Sequence, residues 1–401
     1  MKGVIIAAGP STRLTPLTLT RLLPLVELAG KPLIEYVVDS LTHMPVDDLI
    51  IITRKGNTEI QNWISTKKLE LPVTFDFQEK PGVEGAILAA EPHLRGEEEF
   101  VLSYANYVSP IDFASRAMKV KKRTGADAVA LVTMGNGVCP VAIDEKARLV
   151  DVGTTASGPF YIAGLFILPH DFITYLAKGL SFIEATRTLI REKLFFTSVW
   201  ERDWKLIQYP WDLFDANRIV LDDLLKGRQI IHSSANIRGN VEIEGPVYIP
   251  ANVEIHAGAI ISGPVYIGLN STIGNHALLR NYASIGNNSL VGFSSEVKNS
   301  IVMYNTRVER HSYVGDSIIG SNIILGGHVV TMNYNPRGID IAIVEDDKIK
   351  TYHRKEKFGA VIGDGVHIKM NVSLEPGTFV WPNLEIPSGS ILRGHVKNIP
   401  A

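Results

Sequence analysis

Cysteine is almost missing from this chain. Its 401 residues hold one, Cys139, so an internal disulfide framework is excluded and a reducing compartment fits. No apolar run is long enough to span a bilayer, and Met1-Lys2-Gly3 leads straight into the strand-like Val4–Ala8 without a signal-peptide pattern. Net charge is also scarce: 40 basic against 42 acidic residues leave −2, with no basic excess to hold nucleic acid. The rest is an ordinary soluble composition, 20% charged and 45% hydrophobic, expected in the cytoplasm and long enough for two to three domains.

What the chain has in plenty is a repeat. Apolar residues recur every six positions through Ile231, Ile237, Ile243, Ile249, Ile255, Ile261, Ile267, Ile273, Leu279, Ile285, Val291, Val297 and Met303. Small or apolar residues such as Val241, Val253 and Ala277 stand two places earlier. A strand alternates every two residues and a helix about every 3.6, so a period of six means a short strand and a corner, repeated. One coil cannot bury its own apolar edge; stacked coils share a core. The period returns at Ile362, Ile368, Leu374, Val380, Ile386 and Leu392, which predicts a hexapeptide β-helix over 229–401. Between about Val329 and Lys357 the period breaks. Residues 333–357 are too polar for coils and read as a loop leaving one corner, with Lys348–Lys357 a solvated charged stretch.

Residues 1–228 read differently. Short apolar runs (Val4–Ala8, Leu49–Thr53, Val73–Phe77, Phe100–Ser103, Ala128–Met134, Leu165–Leu168) alternate with amphipathic stretches at Leu33–Leu41, Ile60–Ile64, Ala86–Leu94, Ile111–Lys119 and Phe172–Ala177. That order predicts βαβ units and a largely parallel, doubly wound, Rossmann-like sheet. Trp211–Leu225 has helical spacing, ends at Gly227 and reads as the connector. The expected fold class is therefore α/β followed by an all-β helix.

After the first strand comes a Gly-rich turn, Ala8-Gly9-Pro10-Ser11-Thr12-Arg13-Leu14, the kind whose N–H groups cradle phosphate. The longer run AAGPSTRLTPLTLTRLLPLVELAGKPLIEY resembles the signature of the sugar-1-phosphate nucleotidylyltransferases, A-A-G-x-G-T-R-L-x-P-L-T, P-K-P, G-K-P-L-I-E-Y. With the hexapeptide repeat, the chain resembles bifunctional enzymes that join a nucleotidylyltransferase domain to a left-handed β-helix acetyltransferase domain. The resemblance implies nucleotide or phosphate binding at Gly9, Arg13 and Gly82. It also implies Mg²⁺ and acetyl-CoA in active relatives. Nucleotidyl transfer is an in-line attack that needs cations to gather two anions. Yet Ser11 replaces the second loop glycine, Leu23 the P-K-P lysine, and Asn106 (in FVLSYAN) and Leu206 the two metal-holding aspartates. Asp151–Thr155 reads DVGTT where Glu-Lys-Pro is expected, and Val83-Glu84 departs from Gly-Thr in the base-contacting loop QEKPGVEGA.

In the repeat, the resemblance implies that Arg280, Lys298, Tyr313 and Asn333 surround a sugar phosphate. The general-base position, three before the tyrosine, is Arg310, whose guanidinium cannot accept a proton near neutral pH. His311 is one residue away, and a one-residue shift points a strand side chain to the other face. A further pocket asparagine matches Ile324, and Gly-Ala-Gly is Gly326-Gly327-His328. His256, His276 and His328 could approach one another on one face or around a trimer axis, but read as solvated or packed residues, with no metal site assigned.

Scaffold motifs persist while catalytic charges are missing. The chain therefore reads as a non-catalytic homologue that needs no cofactor: a structural or regulatory subunit, homotrimeric or hetero-oligomeric with an active relative, able to bind a sugar phosphate or sugar nucleotide. The alternative is an active nucleotidylyltransferase, forming a UDP- or dTDP-sugar, or an amino-sugar-phosphate acetyltransferase, with relocated catalytic groups. Neither reading names the sugar, the nucleotide or the partner.

Overall fold

A computed structural model describes residues 1–67, 69–135, 137–345 and 348–398, without the side chains of 345 and 349–354. The chain divides into two compact units: 1–10 with 33–206, and 11–32 with 207–401. Among the described residues no helix is long and apolar enough to cross a membrane.

The first unit is a mixed sheet with helices. Strands β1 (Lys2–Ile6), β2 (Asp48–Arg54), β3 (Val73–Gln78) and β4 (Glu99–Tyr104) pair in parallel in the order β4-β1-β2-β3. β5 is Tyr107–Val108, β6 is Ala128–Met134, and β7 (Phe160–Pro169) runs antiparallel to both β4 and β6. β8 (Phe195–Trp200) pairs in parallel with β6, and β9 (Lys205–Leu206) pairs antiparallel with β5. The central strands are buried on both faces: Ile50, Ile51 and Ile52 are all fully buried, which is why their sequence is continuously apolar rather than alternating. Helices α1 (Leu33–Thr42), α2 (Glu59–Ser65), α3 (Gly82–Ala90), α4 (Phe113–Thr124) and α5 (Asp171–Ala177) fall on the expected amphipathic stretches. Helix α6 (Phe182–Glu192) is not among them, although Ser181 and Glu184 close it with a capping box.

The second unit contains α7 (Asp212–Leu225) and a left-handed β-helix of three stacked parallel sheets. Its core is a column of aliphatic side chains, such as Ile249, Ile255 and Ile261 on successive faces. Left-handed corners are filled largely by asparagine, which tolerates that conformation, and Asn252, Asn270 and Asn288 bond down one corner at 3.3 and 3.1 Å. Two details correct the sequence reading. The period of six slips by one at Val302, not Met303, because the corner at Asn299-Ser300 is one residue short; the next, at Asp316-Ser317, repeats this between Val314 and Ile319. Met303 is buried but lies outside the core column. The excursion expected as a loop is instead an antiparallel hairpin, Tyr334–Glu345 with Lys348–Lys357, whose apolar residues Ile339, Ile341 and Ile343 are buried. A solvated stretch at Lys348–Lys357 falls mostly on side chains outside those described.

Candidate functional site

In the first unit, β5 and β9 pair Tyr107 with Leu206, so the two positions implied for metal binding lie on neighbouring segments: Leu206 opposite Tyr107, and Asn106 one residue before it. Around them Tyr107 packs against Phe113 (5.3 Å between ring centres) and Trp204 (6.4 Å), and Leu206 is buried. The pair offers at most one neutral amide oxygen. A hard dication that takes oxygen ligands, chiefly carboxylates, does not fit it.

Gly9 leaves open space: a Cβ there would meet nothing within 4 Å. Gly82 has φ +94° at the start of α3, a conformation costly for any other residue, and its carbonyl accepts from Gln78 Nε2 at 3.1 Å. Glu84 serves the scaffold, since its Oε1 accepts from the Phe182 N–H at 2.7 Å and so satisfies a free donor at the start of α6. Burial pushes the Cys139 thiol up to about 11, so it stays protonated near neutral pH. The Tyr104 hydroxyl is pushed up by burial and by its neighbours Cys139 and Glu84.

Residues 11–32 of the signature belong to the second unit. Ser11 is left-handed (φ 54°), so a side chain occupies the position where the resemblance expects glycine. Leu23 is buried in a 3₁₀ turn, Leu23–Leu25, and the Arg13 guanidinium lies 5.5 Å over the Tyr209 ring. Arg21 is the group that sequence reasoning passed over; it pairs with Asp364 at 2.6 Å.

Arg280, Lys298, Tyr313 and Asn333 do come together. Parallel pairing stacks Arg280 on Lys298, and Glu296 on Tyr313, on the third face of the β-helix. The two cations are not bare. Glu296 Oε1 accepts from Arg280 Nε at 2.8 Å and Nη2 at 2.7 Å, and Lys298 Nζ lies 3.3 Å from Asp316 Oδ2. Asp316, buried at the first residue of its short corner, also accepts from Asn299 (2.6 Å) and Asn333. Burial, then Glu296 and Asp316, raise the Tyr313 hydroxyl above its ordinary range, so it remains a neutral donor. Glu296 and Asp316 were missed from sequence, although outward-facing carboxylates beside Lys298 and Tyr313 were a readable signal.

Arg310 and His311 are both exposed at the corner before Tyr313. The His311 ring packs against Phe293 (5.2 Å) and His328 (5.0 Å). His276 meets Phe293 at 5.8 Å, and His256 sits 3.5 Å from Glu254. Among the described residues no group of three or more His, Cys, Asp or Glu is placed to hold a metal.

Comparison with known proteins accounts for both units. A nucleotidyl transferase family model matches residues 2–137, and a GMPPB C-terminal domain model matches 261–396. The bifunctional protein GlmU of Methanococcus maripaludis is 31% identical over 409 residues, covering 99% of this chain and 96% of that protein. The chain belongs to the bifunctional sugar-1-phosphate nucleotidylyltransferase/acetyltransferase family. Similar members include GlmU of Methanococcus vannielii, 29% identical over 96% of this chain and 92% of that protein. Another is the bifunctional sugar-1-phosphate nucleotidylyltransferase/acetyltransferase of Sulfurisphaera tokodaii, 28% identical over 99% and 98%. The similarity to these three relatives runs over 92–98% of their length.

Proposed function

We propose that this chain is a non-catalytic member of its family, a structural or regulatory subunit in sugar-nucleotide metabolism. The observation that carries this reading is the buried Leu206 at one position implied for metal binding, with the neutral Asn106 at the other. Phosphoryl transfer is catalysed mainly by positioned cations, and a leucine and a neutral amide supply no carboxylate to hold one. Buried Leu23 at the lysine position and left-handed Ser11 in the phosphate loop support it independently. In the β-helix, Arg310 at the base position cannot take a proton from an amine. The polar cluster from Arg280 to Asn333 remains as a binding site for a sugar phosphate or sugar nucleotide. Stacked coils with flat faces suit a homotrimer, or a hetero-oligomer with an active relative.

The deciding assay is pyrophosphate release from a nucleoside triphosphate and a hexose-1-phosphate with Mg²⁺. We expect no turnover in the wild type, and none until Leu23→Lys, Asn106→Asp and Leu206→Asp are combined. Wild-type turnover of about 1 s⁻¹ or faster would overturn the reading. One observation favours a second reading, an acetyltransferase with a moved base: an exposed histidine, His311, adjoins the base position. Acetyl transfer to a hexosamine phosphate that disappears in His311→Ala would establish it.

A further inference from the structure

One corner of the β-helix carries histidine in the left-handed conformation on several coils. At the neighbouring corner the left-handed residues are asparagine coil after coil: Asn252, Asn270, Asn288, Asn305 and Asn322. Here the same conformation is taken by His276, His311 and His328, with φ of 56°, 58° and 59°, and by Gly258, Ser294 and Asn371 on other coils. Histidine, like asparagine, is enriched in this region among residues with a side chain, so the corner holds the backbone of these residues in place.

His311 and His328 stand on successive coils. Backbone bonds clamp the spacing: His311 N–H donates to Phe293 O at 2.9 Å, and His328 N–H to Arg310 O at 3.0 Å. The two rings are 5.0 Å apart, 20° from parallel, and both residues are exposed. With metal–nitrogen bonds of about 2.0–2.1 Å and about 1.1 Å more to the ring centre, two imidazoles on adjacent positions of a tetrahedral or octahedral ion have centres about 4.5–5.2 Å apart. The observed separation falls in that range. Rotation about the last side-chain torsion is soft, so one nitrogen of each ring can turn to a shared point without moving either corner. His276 is shut out of the pair because Phe293 lies between it and His311.

We propose that His311 and His328 form a surface chelate for one divalent transition-metal ion of the imidazole-preferring class (nickel, copper, zinc or cobalt), with water on its other positions. The site does not include Asn106 or Leu206, and it stands whether or not the chain is catalytic.

Titration of the tag-free full chain with nickel chloride by calorimetry tests it. The expected result is one ion per chain, with binding weakened about tenfold or more in His311→Asn and in His328→Asn, and unchanged in His276→Asn. Asparagine suits the left-handed corner, so these variants keep the fold, which an unchanged melting temperature without metal verifies. No binding in the wild type overturns the proposal. So does binding that survives both substitutions, or that falls equally in His276→Asn.

Discussion

Arg21 Nη2 and Asp364 Oδ1 lie 2.6 Å apart, with side chains only 9% and 12% exposed. The pair fixes a segment from the start of the chain onto a corner of the β-helix within the second unit. Arg21 also donates to Ser321 Oγ at 2.9 Å and faces the Tyr304 ring, while Asp364 accepts from the Thr20 hydroxyl at 2.5 Å and the Ser321 N–H at 2.8 Å. Several strong donors converge on that carboxylate, so the desolvation of two charges is answered by a full set of bonds.

Removing one member leaves a buried charge without its partner. Asp364→Ala should therefore destabilise the protein by about 3–5 kcal/mol, read from urea unfolding. Adding Arg21→Met to that variant should return part of the loss, since no stranded charge remains. The exposed pair Arg307–Glu309, 2.9 Å apart with 54% and 28% exposure, should contribute less than about 1 kcal/mol. A loss for Asp364→Ala no larger than that of Arg307→Ala would refute the argument.

That pair also marks where the sequence stops being legible. A period of six names a β-helix because each inward position, from Ile249 to Leu392, must be apolar whatever lies outside the coil. The α/β strands are legible for the same reason: Ile50–Ile52 are buried on both faces. Arg21 and Asp364 are 343 residues apart, and nothing local in either segment reports the other. The slip at Val302 was hidden because Met303 next to it is also apolar, and a one-residue shorter corner alters no composition. The four candidate pocket residues were found through family spacing. Their carboxylate partners Glu296 and Asp316 emerged only when coil stacking placed them opposite the cations.

Acid should act through Asp151. Burial alone would raise its carboxyl, but the Val152 N–H (2.8 Å), Arg187 (2.9 Å) and the Thr155 hydroxyl (3.1 Å) outweigh that and hold it below its ordinary value. A carboxyl depressed in the folded state adds stability above its unfolded pKa of about 3.9, and that stability is lost as pH falls through the folded value. Asp151→Asn should therefore lower the urea midpoint at pH 7, and the gap from wild type should close below about pH 4. A gap of constant size from pH 7 to pH 3 would show that the carboxylate charge is irrelevant.

The proposed assembly would set coil faces of different copies against one another. A closed symmetric arrangement covers coil surfaces on every copy at once, and an open one leaves them available for runaway association. Sedimentation equilibrium of the full chain alone should give three copies at micromolar concentration. With an active relative present, mixed particles of the same size class are expected. Monomer throughout the micromolar range, with and without the relative, would dismiss both forms.

Binding of a sugar phosphate at the cluster from Arg280 to Asn333 does not require catalysis. Arg280 and Lys298 are held at fixed positions by Glu296 and Asp316, so a phosphate meets two ordered cations that it shares with carboxylates. Tyr313, neutral because burial and those carboxylates raise its pKa, and Asn333 add hydrogen bonds for sugar hydroxyls. A ligand that binds only the folded state stabilises it by mass action, about 2.7 kcal/mol at a hundredfold excess over its dissociation constant. A hexosamine phosphate or UDP-sugar should thus raise the melting temperature of the wild type, and Arg280→Ala with Lys298→Ala should abolish the rise. Because those substitutions leave Glu296 and Asp316 without their ion partners, the double variant should also melt lower without ligand, Asp316 being the buried member. A ligand-induced rise of equal size in both proteins would reduce Arg280 and Lys298 to corner residues whose ion pairs serve the coil alone.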